Sequence, residues 1–468
     1  MTANVLLLKL PDPTSYVTTP PLGIGYVAAF LKRSGASVDF IDLGNSRISD
    51  QDFTDTIKNK RYGYIGIQLY SYQLNAAKKY SGIIKSVLPS SKIVVGGPHP
   101  SSEPEHTLSY LKDVDYAIRA EGERPFVGLV NSGDNPSAGE LERIPNLVYR
   151  HAGKVRVNQI ELENNLDVFS MPDWELMDPH KYALAPQGIF VRNKPVAPIS
   201  VTRGCPYTCT YCAGFAVMGR QIRKRSIENV LAEIKYLRER WGVKEVHIID
   251  DNFTFDRSLV TEFCEKLLQQ DFKICWACPN GIRVDSLDND LLRLMEKAGC
   301  VSFGIGIESG SARVLKKMKK NLRLEVVKEK VDLIKKNTSI SVTGFFLIGY
   351  PQEYKDDIIA TINFAKSLKI DLATFTIVQP LPGTDLFNLW RSKKNITLDD
   401  IDWDKFFHIG VFEGVSELPE KELRGLQKKA IREFYLRPSI IFGILKRIKT
   451  YAQLQTIARR VLSIFRNK

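Results

Sequence analysis

TRGCPYTCTYC, residues 202–212, places Cys205, Cys209 and Cys212 within eight positions and sets no fourth cysteine beside them. That count governs the chemistry. A structural zinc or an electron-transfer cluster closes its coordination with four protein ligands, whereas a reactive metal keeps one position open. On a cluster of four irons, three thiolates leave one iron unligated. The competing readings are plain buried thiols, or half of a zinc site completed from elsewhere in the chain.

Outward from this loop, residues 197–390 alternate strands and helices. Strands are expected at 197–202, 245–249, 273–277, 302–307, 341–348 and 372–378. Amphipathic helices fit between them at 227–241, 258–269, 289–297, 313–318 with 324–335, and 354–367. Six such units make a partial (β/α)6 barrel of the TIM type, whose functional groups gather at the carboxyl ends of the strands. Cys205 then follows the first strand, Asp250 and Asp251 end the second, Glu308 and Ser309 end the fourth, and Gly349 follows the fifth. Asn252 reads equally as a site residue or a helix cap, and Ser226 reads as a cap. Cys275 and Cys278 form a CxxC, but the apolar run 274–278 around them reads as a packed strand.

Residues 1–135 carry an earlier strand and helix alternation, with strands at 5–10, 37–41, 64–69 and 92–95 and helices at 22–34 and 75–87. This pattern implies a doubly wound, Rossmann-like parallel sheet that binds ligands at its carboxyl edge. Residues 136–196 read as a connector that includes a hairpin at 147–158, and 391–468 as a helical C-terminal region. The fold class is therefore α/β, a doubly wound domain followed by the partial barrel and then helices.

With 44% hydrophobic residues over 468 positions, the chain can bury large cores. Seven cysteines without a disulfide framework, and no apolar stretch near the roughly 20 residues that cross a bilayer, point to a cytoplasmic protein. The net charge of +13 is uneven, for residues 437–468 hold eight Lys and Arg and no acid. Apolar positions recur there at helical spacing, so the tail reads as a basic amphipathic helix that either lies on an anionic membrane or docks on the protein body. No reader motif for nucleic acid accompanies the charge.

The CxxxCxxC spacing, with Tyr211 before the third cysteine, resembles the signature of the radical S-adenosylmethionine (SAM) enzymes. PPLGIGYVAAFLKRSGASVDFIDL (20–43), VVGGPHPSSEPEHTL (94–108) and VDYAIRAEGERPF (114–126) are similar to the cobalamin-binding domain of the cobalamin-dependent members. The resemblance implies a 4Fe-4S cluster on Cys205, Cys209 and Cys212, with SAM on the open iron. It implies contacts to SAM from Tyr211, from Glu308 and Ser309 in IGIESG (305–310), and from Gly349 in GFFLIGYPQE (344–353). It also implies cobalamin contacts from Pro21, Gly23, Ser71, Gly96, Gly97 and Glu121. The DxHxxG string that supplies a cobalt-ligating histidine elsewhere is absent, so cobalamin is expected without a protein histidine; His99 and His106 read as loop residues.

AIREFYLRPSIIFGIL (430–445) extends the resemblance to the subgroup of the anaerobic magnesium-protoporphyrin ester cyclase and the hopanoid and archaeal lipid enzymes. The implied activity is C-methylation of an unactivated carbon through a 5′-deoxyadenosyl radical, on a small-molecule or lipid-like substrate. An external electron donor such as flavodoxin or ferredoxin goes with it. Cyclisation or skeletal rearrangement, and a corrinoid-binding module with a non-catalytic barrel, are the alternatives.

Overall fold

The computed structural model describes residues 4–12, 19–46, 48–182, 191–407 and 410–448. Two sheets organise it. The first contains β1 (Asn4–Lys9), β2 (Ser37–Asp42), β3 (Tyr64–Gln68), β4 (Lys92–Gly96), β5 (Tyr116–Ile118), β6 (Leu147–His151) and β7 (Lys154–Val157). Their order is β2-β1-β3-β4-β5-β6-β7, parallel through β5 and antiparallel beyond it. Val5, Leu6, Leu7 and Leu8 are all buried, as a strand covered by helices on both faces requires. The chain steps over β1 between β2 and β3, which sets the topological switch point beside β1 and β3.

The hairpin expected in the connector is instead the edge of this sheet. Leu147 and Val148 are buried, and their backbones pair with β5, so the apolar half of the hairpin joins the core and only β7 remains at the rim. Asn146 fixes the corner: its amide donates to the carbonyls of Glu121 and Glu161.

The second sheet is the six-stranded open barrel. Its strands are β8 (Val196–Ile199), β11 (Glu245–Ile248), β12 (Cys275–Ile282), β13 (Cys300–Glu308), β14 (Ser341–Ile348) and β15 (Leu372–Ile377), parallel and side by side in chain order. A short antiparallel ribbon of β9 (Thr202–Arg203) and β10 (Arg223–Lys224) stands outside it. Helices Ile227–Trp241, Arg257–Leu268, Asn289–Lys297, Leu324–Asn337 and Lys355–Ser367 follow the strands. Ser226 and Asp256 cap the first two through their side chains. Cys264, Cys278 and Cys300 are buried in the core, and Cys275 opens β12.

The C-terminal region ties the molecule together. Phe387, Trp390, Trp403 and Phe406 share one apolar core with Leu6, Leu8, Ile65 and Ile67 of the first sheet. Helix Glu420–Tyr435 covers the exposed edge of β15, where Gln427 donates to the Phe375 carbonyl and Tyr435 to the Ala373 carbonyl. Among the described residues no helix is long and apolar enough to cross a membrane.

Candidate active site

The ribbon of β9 and β10 closes a loop, residues 204–222, that carries all three cysteines. Gly204 makes the entry possible. It adopts φ +100°, and a methyl group there would lie 2.2 Å from the Gln221 carbonyl oxygen. The ends of β11 and β14 then hold the loop and its entry. From β11, the buried Asp250 carboxylate accepts from the Val201 and Thr202 backbone N–H groups and from the Thr202 hydroxyl, all within 2.8 Å. From the turn after β14, the Tyr350 hydroxyl pairs with Thr210 Oγ1 at 2.7 Å. Thr210 N–H donates to the Met318 carbonyl, and its own carbonyl accepts from Leu386 N–H.

All three thiols are free. Burial raises the Cys205 thiol, and the charges of Asp251 and Cys209 raise it further; Cys212 feels Cys209 and Cys205 in the same way. The Cys205 and Cys212 thiolates therefore depend on a metal to hold them deprotonated. Among the described residues no three His, Cys, Asp or Glu side chains converge on the point where one ion would sit.

Beside the cysteines stands a buried polar group. A bulge between Gly306 and Glu308 ends the regular pairing of β13 with β14, and Glu308 adopts φ +70°, so its side chain is re-aimed. Its carboxylate accepts from Lys320 Nζ at 2.9 Å, and the Tyr211 phenol lies within reach of its charge. Burial opposes the charge on Lys320, but the negative charges of Glu308 and Cys209 together outweigh it and lift the ammonium above its usual range. Burial, followed by the Glu308 charge, drives the Tyr211 phenol well above its ordinary value, so it remains a donor. Gly306 makes room for the pair, since a methyl there would come within 2.8 Å of both Glu308 Oε1 and Lys320 Nζ. Arg283 stacks over Tyr207 at 4.1 Å and donates to the Lys320 carbonyl at 3.0 Å, fixing the same corner.

Lys320 lay in a basic run, KKMKK, that reads as a solvated surface, so the sequence offered little signal for it. Ser309 is placed differently from the expectation of a cofactor contact. It is fully buried, its hydroxyl accepts from Ser311 N–H and pairs with Thr361 Oγ1, and it shapes the turn instead. Gly349 adopts φ +82° and donates its N–H to the buried Glu353 carboxylate. Asn252 caps no helix through its side chain, and its amide is buried with neither atom hydrogen-bonded.

The loops at the carboxyl edge of the first sheet form a second cradle. Pro21 is buried at the head of helix Leu22–Arg33, where Gly23 is exposed. Gly96 ends β4, and Gly97 takes φ +112° with its Cα side tight against the Leu69 carbonyl. Ser71 Oγ faces His99 Nδ1 at 3.1 Å. His99 and His106 are buried against Trp403, and burial lowers His99 to about 3. A cavity of about 760 Å³ opens at the ends of β1 and β3, lined by Asp12, Tyr72, Gln73, Asp404 and Phe407. The cavity lies at the switch point, and Pro21, Gly23, Ser71, Gly96 and Gly97 are not among its lining residues.

Glu121, expected to contact that cofactor, is spent on the protein. Its Oε1 accepts from Arg203 at 2.8 Å and Arg223 at 2.7 Å, and its Oε2 from Glu163 N–H. Arg203 reaches Glu123 as well, and its guanidinium lies over the rings of Tyr26 and Phe169. Arg203 sits two residues before Cys205, so a buried, charge-balanced clamp joins the two cradles.

Comparison with known proteins settles the family. Residues 199–365 match the radical SAM superfamily and residues 13–130 the B12 binding domain. The chain is 31% identical over 446 residues to the uncharacterized methyltransferase PH0819 of Pyrococcus horikoshii, covering 93% of each. The chain belongs to the radical SAM superfamily. Within it, the anaerobic magnesium-protoporphyrin IX monomethyl ester cyclase of Rubrivivax gelatinosus is 26% identical over 426 residues, covering 90% of this chain and 75% of that one. The fold is shared with the radical SAM methyltransferase TsrM of Kitasatospora setae, solved with tryptophan and a SAM analogue. TM-score is 0.70 at 15% identity, covering 94% and 90% of the two chains. A radical SAM enzyme with a B12 binding domain works with a 4Fe-4S cluster, SAM and cobalamin.

Proposed function

We propose that this radical SAM enzyme is a cobalamin-dependent C-methyltransferase acting on an unactivated carbon of a hydrophobic or lipid-like substrate. The observation that carries it is the Arg203 clamp, which links the cysteine loop directly to the Glu121 and Glu123 loop of the B12 binding domain. The PH0819 and TsrM relatives, both named as methyltransferases, support the same reading. When bound, the cluster with SAM supplies hydrogen abstraction, and cobalamin supplies the methyl group.

The chain's own residues then have separable roles. Cys205, Cys209 and Cys212 hold the cluster. Lys320 offers an ammonium to the SAM carboxylate, Glu308 a carboxylate to its amino group or ribose, and Tyr211 orients Glu308. The turn at Gly349 presents backbone near the adenine, and Ser309 shapes the neighbouring turn. Pro21, Gly23, Ser71, Gly96 and Gly97 form the bed for cobalamin, and Glu121 positions it through Arg203 and Arg223. A one-electron donor such as flavodoxin or ferredoxin serves the cluster, and the basic C-terminal region contacts a membrane.

The test is anaerobic reconstitution with iron, sulfide and cobalamin. Reduction in the presence of SAM should release 5′-deoxyadenosine, and Cys209→Ala should lower that release by about a hundredfold or more. Absence of 5′-deoxyadenosine from the reconstituted wild type would leave a corrinoid-binding module. In cells, a lipid or metabolite that is one methyl heavier only when Cys209 is intact supports methyl transfer. A product differing by lost hydrogen or a closed ring supports the reading carried by the cyclase relative.

A further inference from the structure

Helix Pro438–Arg447 has two unlike faces. Ile440 and Ile444 turn toward the barrel core, and Arg447 donates to Ser341 Oγ at 2.7 Å and pairs with Asp371. Ser341 begins β14 and Asp371 immediately precedes β15, so the helix is fixed at the amino-terminal end of the barrel, opposite the cysteine loop. Helical spacing puts Ile441, Phe442 and Leu445 on the other side. They are 42%, 60% and 58% exposed, and Leu436, in the turn before the helix, is 60% exposed. Four of the ten exposed large hydrophobic residues among the described residues thus fall within ten positions.

The sequence of this segment is basic throughout. Lys446 lies over the Phe442 ring at 4.4 Å, and residues 437–468 contain eight Lys and Arg with no acidic residue. A contiguous apolar face that large needs a cover in water. A protein partner would have to match it with an acidic rim around an apolar centre. An anionic bilayer offers both at once, with acyl chains for Ile441, Phe442 and Leu445 and lipid phosphates for the cations.

We propose that Leu436, Ile441, Phe442 and Leu445, with Lys446 beside them, form the surface by which this protein docks on an anionic membrane. The proposal deepens the membrane contact named above and rests on it, but it is independent of the chemistry at the cluster. Docking at the amino-terminal end of the barrel tethers the protein while leaving the strand ends that carry the cysteines uncovered.

The experiment uses the full chain with vesicles of phosphatidylcholine alone and of phosphatidylcholine with phosphatidylglycerol, read by flotation. The wild type should float with the anionic vesicles, and the bound fraction should fall as salt rises from about 50 to 500 mM. The triple variant I441E/F442E/L445E should bind at least about tenfold more weakly. Its thermal midpoint and 5′-deoxyadenosine release should be unchanged, because these side chains make no contact with the site. K446E should weaken binding to a smaller degree.

Undiminished binding by the triple variant overturns this face and leaves the membrane contact to other parts of the C-terminal region. No flotation of the wild type overturns both the face and the contact. Equal binding to neutral vesicles overturns the anionic specificity. A wild-type dimer in solution that the triple variant breaks would make a second copy of the chain the occupant instead.

Discussion

The cysteine loop and the ligand edge of the first sheet do comparable work by opposite means. Around the cysteines, the Asp250 carboxylate after β11 and the Tyr350 hydroxyl after β14 reach into the eleven residues 202–212 or the residue before them, and the Met318 carbonyl and Leu386 N–H complete the hold. At the edge of the first sheet, side chains are turned back into the protein: Ser71 onto His99, Glu121 onto Arg203 and Arg223. The barrel presents chemical groups, whereas the first sheet presents shape and backbone. A small, charged cosubstrate suits the first kind of site, and a large, flat macrocycle the second.

The strongest way to break this contrast is Gly204→Ala. The new methyl would collide with backbone at 2.2 Å in a left-handed conformation, so we expect destabilisation of about 3 kcal/mol or more and failure to retain iron. Iron and sulfide analysis after reconstitution checks it. A variant that reconstituted normally would mean that the loop is less constrained than its contacts indicate.

Glu121→Gln comes next. It removes one charge from a buried group with two arginines, which should cost about 3–5 kcal/mol in chemical denaturation. Iron retention and cobalamin retention should fall together if Glu121 acts by joining the cradles. Loss of cobalamin alone would restore it as a direct cofactor contact.

Glu353 gives a pH-dependent comparison. Its Oε2 accepts from Gly349 and Tyr350 N–H groups, its Oε1 is unpartnered, and burial raises it from 4.5 to about 7. The folded state therefore holds this proton more tightly than the unfolded chain, and stability falls as pH rises from about 4.5 to 7. Glu353→Gln lacks that titration. Its stability relative to wild type should improve across this window by up to roughly 3 kcal/mol, measured by denaturant unfolding at pH 5 and pH 8. Parallel pH profiles would show that Glu353 does not titrate there.

The smallest effect belongs to Ser71→Ala, which loses one bond to His99. A change of about 1 kcal/mol and near-normal cobalamin retention are expected, since this edge acts through shape. A large fall in retention, read from the bound cobalamin absorbance, would show that the hydroxyl touches the cofactor.

What the sequence disclosed follows the same division. The cysteine spacing and the six strand–helix units were legible because each is a local pattern, and residues 205, 308 and 349 fall at strand ends by simple counting. Lys320 was hidden because a buried lysine and a solvated one look alike until Glu308 is seen beside it. The pairing of Arg203 with Glu121 spans 82 residues, and no local pattern reports a contact at that distance. The β6–β7 hairpin was recognisable as a hairpin, but its membership of the first sheet depends on β5, a strand of three residues with too few positions to show a period. Asn252 stays ambiguous by composition, because the residue types that cap helices are also those that bind ligands.

The four-residue clamp of Arg203, Arg223, Glu121 and Glu123 also bears on how such a protein can be recombined. A chimera cut in the connector would bring together two halves whose compatibility resides in two guanidinium groups on one side and two carboxylates on the other. If one half carried neutral residues at its positions, the other would bury bare charge at the seam, so domain exchange between relatives should succeed only when these four side chains travel as a set.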